Sequence, residues 1–254
     1  MGYLIRESKQ EAFGIEVNPE WTWEDFYALG QVAQDNGLYL CWSNYHFGDM
    51  LYQYESMYCD LLQGKADFNT ETYAKLVTIW KNLFMEGKIM TVDELYTLGY
   101  DATLLEFSGM SFYPGLKRIQ LDMPLIDGKR VTPIIINGLY ANANSRNYDL
   151  AVEFLEIFSS VEVQTMQSGI SSGMLLDDFT QYSDYEEYVA QNGLPTDAEL
   201  NRWREFMDTG RQAQLDGALR VAIGEINKRL IDGKITMEEY LIEVDERAQL
   251  YVGE

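Results

Sequence analysis

Residues 133–164 read PIIINGLYANANSRNYDLAVEFLEIFSSVEVQ, and two hydrophobic periods meet within them. Ile134, Ile135 and Ile136 form an unbroken β-branched run closed by Asn137 and Gly138, the pattern of a short buried strand ending in a turn. Ser145 then stands where a helix N-cap belongs, and Leu150, Ala151, Phe154, Leu155 and Phe158 follow at helical spacing. A strand that feeds a helix packing back on it is the building unit of an α/β fold.

Composition limits what such a fold can do. The 254 residues, 46% of them hydrophobic, suffice for one sizeable core or two modest ones. Asp and Glu number 41 against 19 Lys and Arg, for a formal net charge of -22. That surface repels phosphate backbones and anionic lipid heads, which argues against nucleic-acid binding and polybasic membrane docking. No apolar run approaches the roughly 18 residues of a transmembrane helix, and MGYLIRESKQEAF is neither a signal peptide nor a lipobox. Cys41 and Cys59 lack CxxC spacing, so they read as two buried thiols, with one disulfide as the alternative. The motifs HExxH, GxGxxG and the P-loop are absent, and His46, the only histidine, has no GxSxG elbow beside it. No catalytic residue, metal ligand or cofactor is therefore assigned. The acidic stretch from Asp177 to Tyr188 lacks EF-hand spacing and reads as a solvated helical face.

Capping signals place most of the helices. Thr22 with Asp25, Thr91 with Glu94 and Thr236 with Glu239 each form the capping-box pattern. After Thr22, Trp23, Phe26, Gly30 and Ala33 share a face; the helix 70–86 carries the stripe Tyr73, Val77, Trp80 and Phe84 and stops at Gly87. Leu219, Ile223, Ile226 and Leu230 are in phase on a long helix ended by Gly233, and Tyr240, Leu241, Val244 and Ala248 are buried by the last one. A further helix is expected over 197–207. Strands are expected at 38–42 (LYLCW), 102–107 (ATLLEF) and 121–125 (LDMPL), with a hairpin turn at Asp127 and Gly128.

Several of these segments carry a resemblance in the same order. PEWTWEDF at 19–26 is similar to the P-x-TWDEF signature of the type 1 extracellular solute-binding proteins, the maltose-binding protein superfamily. YLIRESKQEAFGIEV, TYAKLVTIWKNLFMEGKI and the ending GKITMEEYLIEVDERAQ resemble that family's successive segments, as do Ala151, Glu153, Phe154, Leu155 and Phe158 its AxEFLxxF helix. The chain departs from the family at Ser108, Gly109 and Met110, where no tryptophan follows the glycine turn. It also lacks the proline that often ends the family's loop near 167–174.

The candidate site follows from side-chain chemistry and from this likeness together. Aromatic rings stack on the C–H faces of sugars while flanking polar groups meet the hydroxyls. Within SNYHFGDMLYQYESMY, Trp42 and Tyr45 are candidates for stacking and Asn44 and Asp49 for hydroxyl contacts. Tyr54 and Tyr58 also fit the buried stripe of a helix with Met50, Leu51, Met57 and Leu61, and are read as core. The missing glycine-turn tryptophan leaves Phe112 or Tyr113 to stack, and Arg211 and Gln214, in the link before the long helix, complete the candidate set.

The resemblance implies a helix-rich α/β protein of type II periplasmic-binding-protein architecture. Residues 1–130 and 181–254 correspond to the second lobe, and 131–180 to a crossing strand and helix of the first. It implies that the first lobe's other strands and the export signal lie outside this chain, and that Ile134 to Ile136, without sheet neighbours, repack or pair with another molecule, since an open strand edge invites association. The implied role is the substrate-binding component of an ABC importer, extracellular or periplasmic and lipid-anchored when full-length, taking a carbohydrate in an interlobe cleft and docking on the importer's membrane subunits. Two readings stand beside it: an α-rich protein-interaction module, and a glycosidase working through two carboxylates.

Overall fold

Gly2–Arg6 (β1) reads GYLIR and is apolar on both faces, the signature of a strand enclosed by neighbours rather than one at an edge. In the computed structural model it is the central strand of an antiparallel sheet ordered β4-β1-β5, with β4 at Leu105–Ser108 and β5 at Arg118–Leu121. Tyr3 pairs with Phe107 on one side and Leu121 on the other. Gly2 has to be glycine, because a Cβ there would lie 2.5 Å from the Leu121 carbonyl oxygen.

The structure describes residues 2–16, 18–43, 45, 47–108, 118–134, 139–160, 162–163, 186–187, 190, 201, 210–213 and 217–253. The chain forms two compact units. The first comprises Met1–Ser108, Lys117–Ile135 and Thr209–Glu254, the second Gly109–Leu116 and Ile136–Asp208. In the first unit α1 (Glu7–Phe13) leads to α2 (Trp23–Asp35), β2 (Cys41–Trp42), α3 (Gly48–Tyr58), α4 (Glu71–Met85), β3 (Ile89–Met90) and α5 (Val92–Leu98). After β4 and β5 come β6 (Pro133–Ile134), β7 (Arg211–Gln212), α7 (Gly217–Ile231) and α8 (Met237–Gly253). The second unit contributes α6 (Tyr148–Phe158).

The helix starts are those written in the sequence. Thr22 and Thr91 close capping boxes with Asp25 and Glu94, and Thr236 exchanges the same two bonds with Glu239. The Glu94 and Glu239 carboxyls are held below the ordinary range, first by the backbone N–H of Thr91 and Thr236 respectively. Packed beneath lies a ring cluster: Trp23 and Phe26 at 5.0 Å, Phe26 and Trp80 at 5.6 Å, Tyr3 and Phe26 at 5.1 Å between centroids. Leu219, Ile223, Ile226 and Leu230 of α7 join Tyr240, Val244 and Ala248 of α8 in the same core.

Gln53 sits at the junction of these parts, fully buried on α3. Its Oε1 accepts from the Trp23 indole N–H at 2.9 Å, and its Nε2 donates to the carbonyls of Pro124 at 2.8 Å and Val131 at 3.2 Å. Pro124 and Val131 flank the hairpin turn at Asp127 and Gly128, both at positive φ (49° and 70°) as the expected Asp-Gly turn requires. The Asp127 carboxylate in turn accepts from Tyr58 and Thr72, so the turn is tied to α3 and α4.

Several expectations need correction. The strand expected at 121–125 ends at Leu121, because Pro124 has no N–H to give a ladder, and only Leu125 pairs, as a single bridge with Thr22. The strand expected at 38–42 is confined to Cys41–Trp42, in parallel register with Ile89 and Met90. Ser145 does not cap α6: the helix begins at Tyr148, and the Ser145 hydroxyl accepts from the Asn147 N–H instead. None of its residues is buried, and Leu150 and Phe154 are 65% and 57% exposed, so α6 does not pack its stripe as expected. Tyr58 is a rim residue stacked on the buried Tyr54 at 4.8 Å, its hydroxyl on Asp127. The open edge expected at Ile134 is filled in the chain itself, since β6 pairs parallel with β7, Pro133 opposite Arg211 and Ile134 opposite Gln212. Ile135 and Ile136 lie outside the described residues, as do the loop at 167–174, the acidic stretch at 177–188 apart from Glu186 and Glu187, and the helix expected at 197–207 apart from Asn201. Cys41 and Cys59 remain thiols.

Replacing Gln53 by alanine strands one buried indole donor, the buried Pro124 carbonyl and the part-buried Val131 carbonyl, at a cost of about 2–4 kcal/mol. Urea unfolding of Gln53→Ala should show that loss, whereas a loss under about 0.5 kcal/mol, the scale of a surface change, would contradict the junction.

Candidate ligand-binding site

In open α/β sheets ligands gather beyond the carboxyl ends of parallel strands. The parallel strands β2 and β3 end together at Trp42 and Met90, and the chain beyond β2 runs through Ser43–Phe47 into α3. Trp42 is partly exposed, no other described ring packs on it, and among the described residues its buried indole N–H has no acceptor. The Trp80 indole N–H is also unpartnered, but Trp80 is enclosed in the core and no ligand reaches it. Trp42 is thus the candidate that offers a partly exposed ring face, its indole N–H being turned inward.

Tyr45 is placed differently. Its ring stacks on Phe84 at 5.3 Å, the Lys228 ammonium stands 5.3 Å from its centroid, and its carbonyl accepts from Asn227 Nδ2 at 2.7 Å. The side chain therefore anchors the loop. Phe47 finishes the loop in a left-handed conformation (φ 51°, ψ 38°) that an aromatic residue rarely adopts, held by stacking on Trp80 at 5.6 Å. Asp49 lies in the first turn of α3. Asn44, Phe112, Tyr113 and Gln214 lie outside the described residues, as does His46.

Asn227 carries a role that no motif announced. Fully buried on α7, it spends its Oδ1 on the Tyr240 hydroxyl at 2.6 Å, and Tyr240 meets the Tyr73 hydroxyl at 3.1 Å. Burial pushes both tyrosines above their ordinary pKa, so the chain of hydroxyls stays neutral and donating. The signal was present in the sequence as one polar residue inside the apolar stripe of α7. Next to it, hydrogen bonding to Asp232 raises the pKa of Lys228 and keeps it charged beside Tyr45.

Arg211 is exposed on β7, with Nη1 3.5 Å from the Ser56 carbonyl. Arg220 on α7 donates to the Tyr52 hydroxyl and lies over the Tyr52 ring, 5.9 Å from its centroid. Both arginines thus reach α3. Among the described residues no group of three or more His, Cys, Asp or Glu is placed to hold a metal. Burial pushes the Cys59 thiol up to about 12, which leaves it protonated and unreactive.

No protein-family model matches this sequence, and no curated protein does. Solved structures match it from end to end. A Listeria monocytogenes ABC substrate-binding protein in complex with cycloalternan is 11% identical, with a TM-score of 0.70 over 99% of this chain and 69% of that one. The cyclic alpha-maltosyl-1,6-maltose binding protein of Arthrobacter globiformis is 17% identical, with a TM-score of 0.64 over 99% and 69%. A Thermotoga lettingae ABC transporter solute binding protein bound with alpha-D-tagatose is 14% identical, with a TM-score of 0.66 over 99% and 70%. The chain has the helix-rich α/β fold of these proteins, the type II periplasmic-binding-protein architecture, and spans about 70% of their length.

The loop's dependence on Asn227 is measurable. In Asn227→Ala, amide hydrogen exchange at Tyr45–Leu51 should speed up at least about tenfold, on the scale of one lost buried hydrogen bond. Unchanged exchange there would show that the loop is held by other means.

Proposed function

We propose that this chain is the substrate-binding component of an ABC importer and that it binds a carbohydrate against Trp42. The observation that carries the reading is the partly exposed indole at the carboxyl end of a parallel strand, in a fold shared along this whole chain with sugar-binding proteins. The sugar's ring stacks on the indole face and its hydroxyls meet polar groups of the loop, Asn44 among them, and of Asp49 at the start of α3. Phe112, Tyr113 and Gln214 complete the contact set. The protein releases its ligand chemically unchanged to the membrane subunits, which makes it a carrier and not a glycosidase. Its place is outside the cytoplasmic membrane, held there by a lipid anchor in the full-length protein; no helix of the described residues is long and apolar enough to cross a membrane.

The second reading, a protein-interaction module, is favoured by α6, whose Leu150, Phe154 and Ile157 are all more than half exposed. Calorimetric titration with maltotriose, cellotriose, chitotriose and cyclic maltosyl-maltose separates the readings. The account expects saturable heat with at least one sugar, recovery of that sugar intact, and at least tenfold weaker binding in Trp42→Ala, about 1.4 kcal/mol. Cleavage of a sugar would establish a glycosidase, and silence across the panel would favour the interaction module.

A further inference from the structure

Two arginines of the first unit contact α3 without a carboxylate partner among the described residues. Eight other lysines and arginines of the described residues, Arg6 and Arg118 among them, are engaged by carboxylates. Arg211 and Arg220 have no carboxylate partner among the described residues. They come from separate elements, β7 and α7, yet both reach α3, at the Ser56 carbonyl and at the Tyr52 hydroxyl. Those two residues are four apart in sequence, about one turn of that helix.

The donors on these two groups are largely unspent. A guanidinium offers five N–H groups in a planar fork. Arg211 makes only its 3.5 Å approach to the Ser56 carbonyl, and its side chain is exposed. Arg220 gives one donor to Tyr52, while its buried Nε finds no acceptor among the described residues. Arg211 is carried on β7, which pairs in parallel with β6.

We propose that Arg211 and Arg220 form an anion subsite, and that the carbohydrate this protein carries bears an oxyanion substituent, a carboxylate or a sulfate. The inference rests on the carbohydrate reading above and narrows it to acidic sugars. In a protein of net charge -22 an anionic ligand meets long-range repulsion, so it needs a local pair of fixed positive donors. Charge-assisted bonds from guanidinium to carboxylate or sulfate supply both the charge and the directed contacts.

The test compares maltotriose and cellotriose with the same trimers carrying a carboxylate at each C6 and with their 6-O-sulfated forms. The proposal expects at least one charged form to bind about tenfold or more tighter than its neutral parent, as one charge-assisted contact allows. Whether the carboxylated or the sulfated form gains identifies the substituent. In Arg211→Gln, a surface change that leaves the fold intact, the ratio of charged to neutral affinity should fall to within about threefold. Arg220→Lys keeps the charge and loses the fork, and should lower the ratio in part. Neutral trimers binding as well as charged ones would overturn the subsite and leave the carbohydrate reading standing. An advantage that survives both substitutions would assign it to other residues, and failure of every trimer to bind would remove the carbohydrate reading and the subsite with it.

Discussion

One buried amide couples the parts of the first unit that have to stay in register. Gln53 accepts from Trp23 on α2 and donates to the carbonyls on either side of the hairpin that leads into β6. The core around it is rich in large rings, which supply burial but little direction, since stacked and edge-on arrangements of Trp23, Phe26 and Trp80 differ by small energies. A buried side chain with all of its main hydrogen bonds made permits one arrangement. β6 is aimed by that bond set, and with it the position of β7 and Arg211.

A second polar network does the same for the face beyond β2. Tyr73, Tyr240 and Asn227 run from α4 through α8 to α7 and end on the Tyr45 carbonyl. Phe47, in its left-handed conformation, closes the loop against Trp80. The loop that follows Trp42 is therefore held at Tyr45 and at Phe47.

Much of this was legible in the chain. Helix starts are local events, so Thr22, Thr91 and Thr236 with their acidic partners located three helices to the residue, and the stripes on α4, α7 and α8 named their buried faces. Strands were harder, because a two-residue ladder such as β2 or β6 leaves almost no period to read, and Pro124 turned an apolar run into a bend. The α6 stripe predicted burial, but periodicity reports which face is apolar and not whether anything covers it. At the site, aromatic content pointed to Trp42 and Tyr45 alike, both partly exposed; only the three-dimensional neighbours separate them, the Tyr45 ring being pinned between Phe84 and Lys228. Gln53, Asn227 and Arg220 escaped notice because each has a partner distant in sequence, Pro124 for Gln53, Tyr45 for Asn227 and Tyr52 for Arg220.

The central claim is that a sugar lies against the first unit beside Trp42, and hydrogen-exchange footprinting with and without saturating oligosaccharide tests it most directly. The account predicts slowed exchange concentrated in residues 41–51 and 210–220, with α1, α5 and α8 unchanged. Protection confined to α6, or spread evenly over the chain, would contradict it.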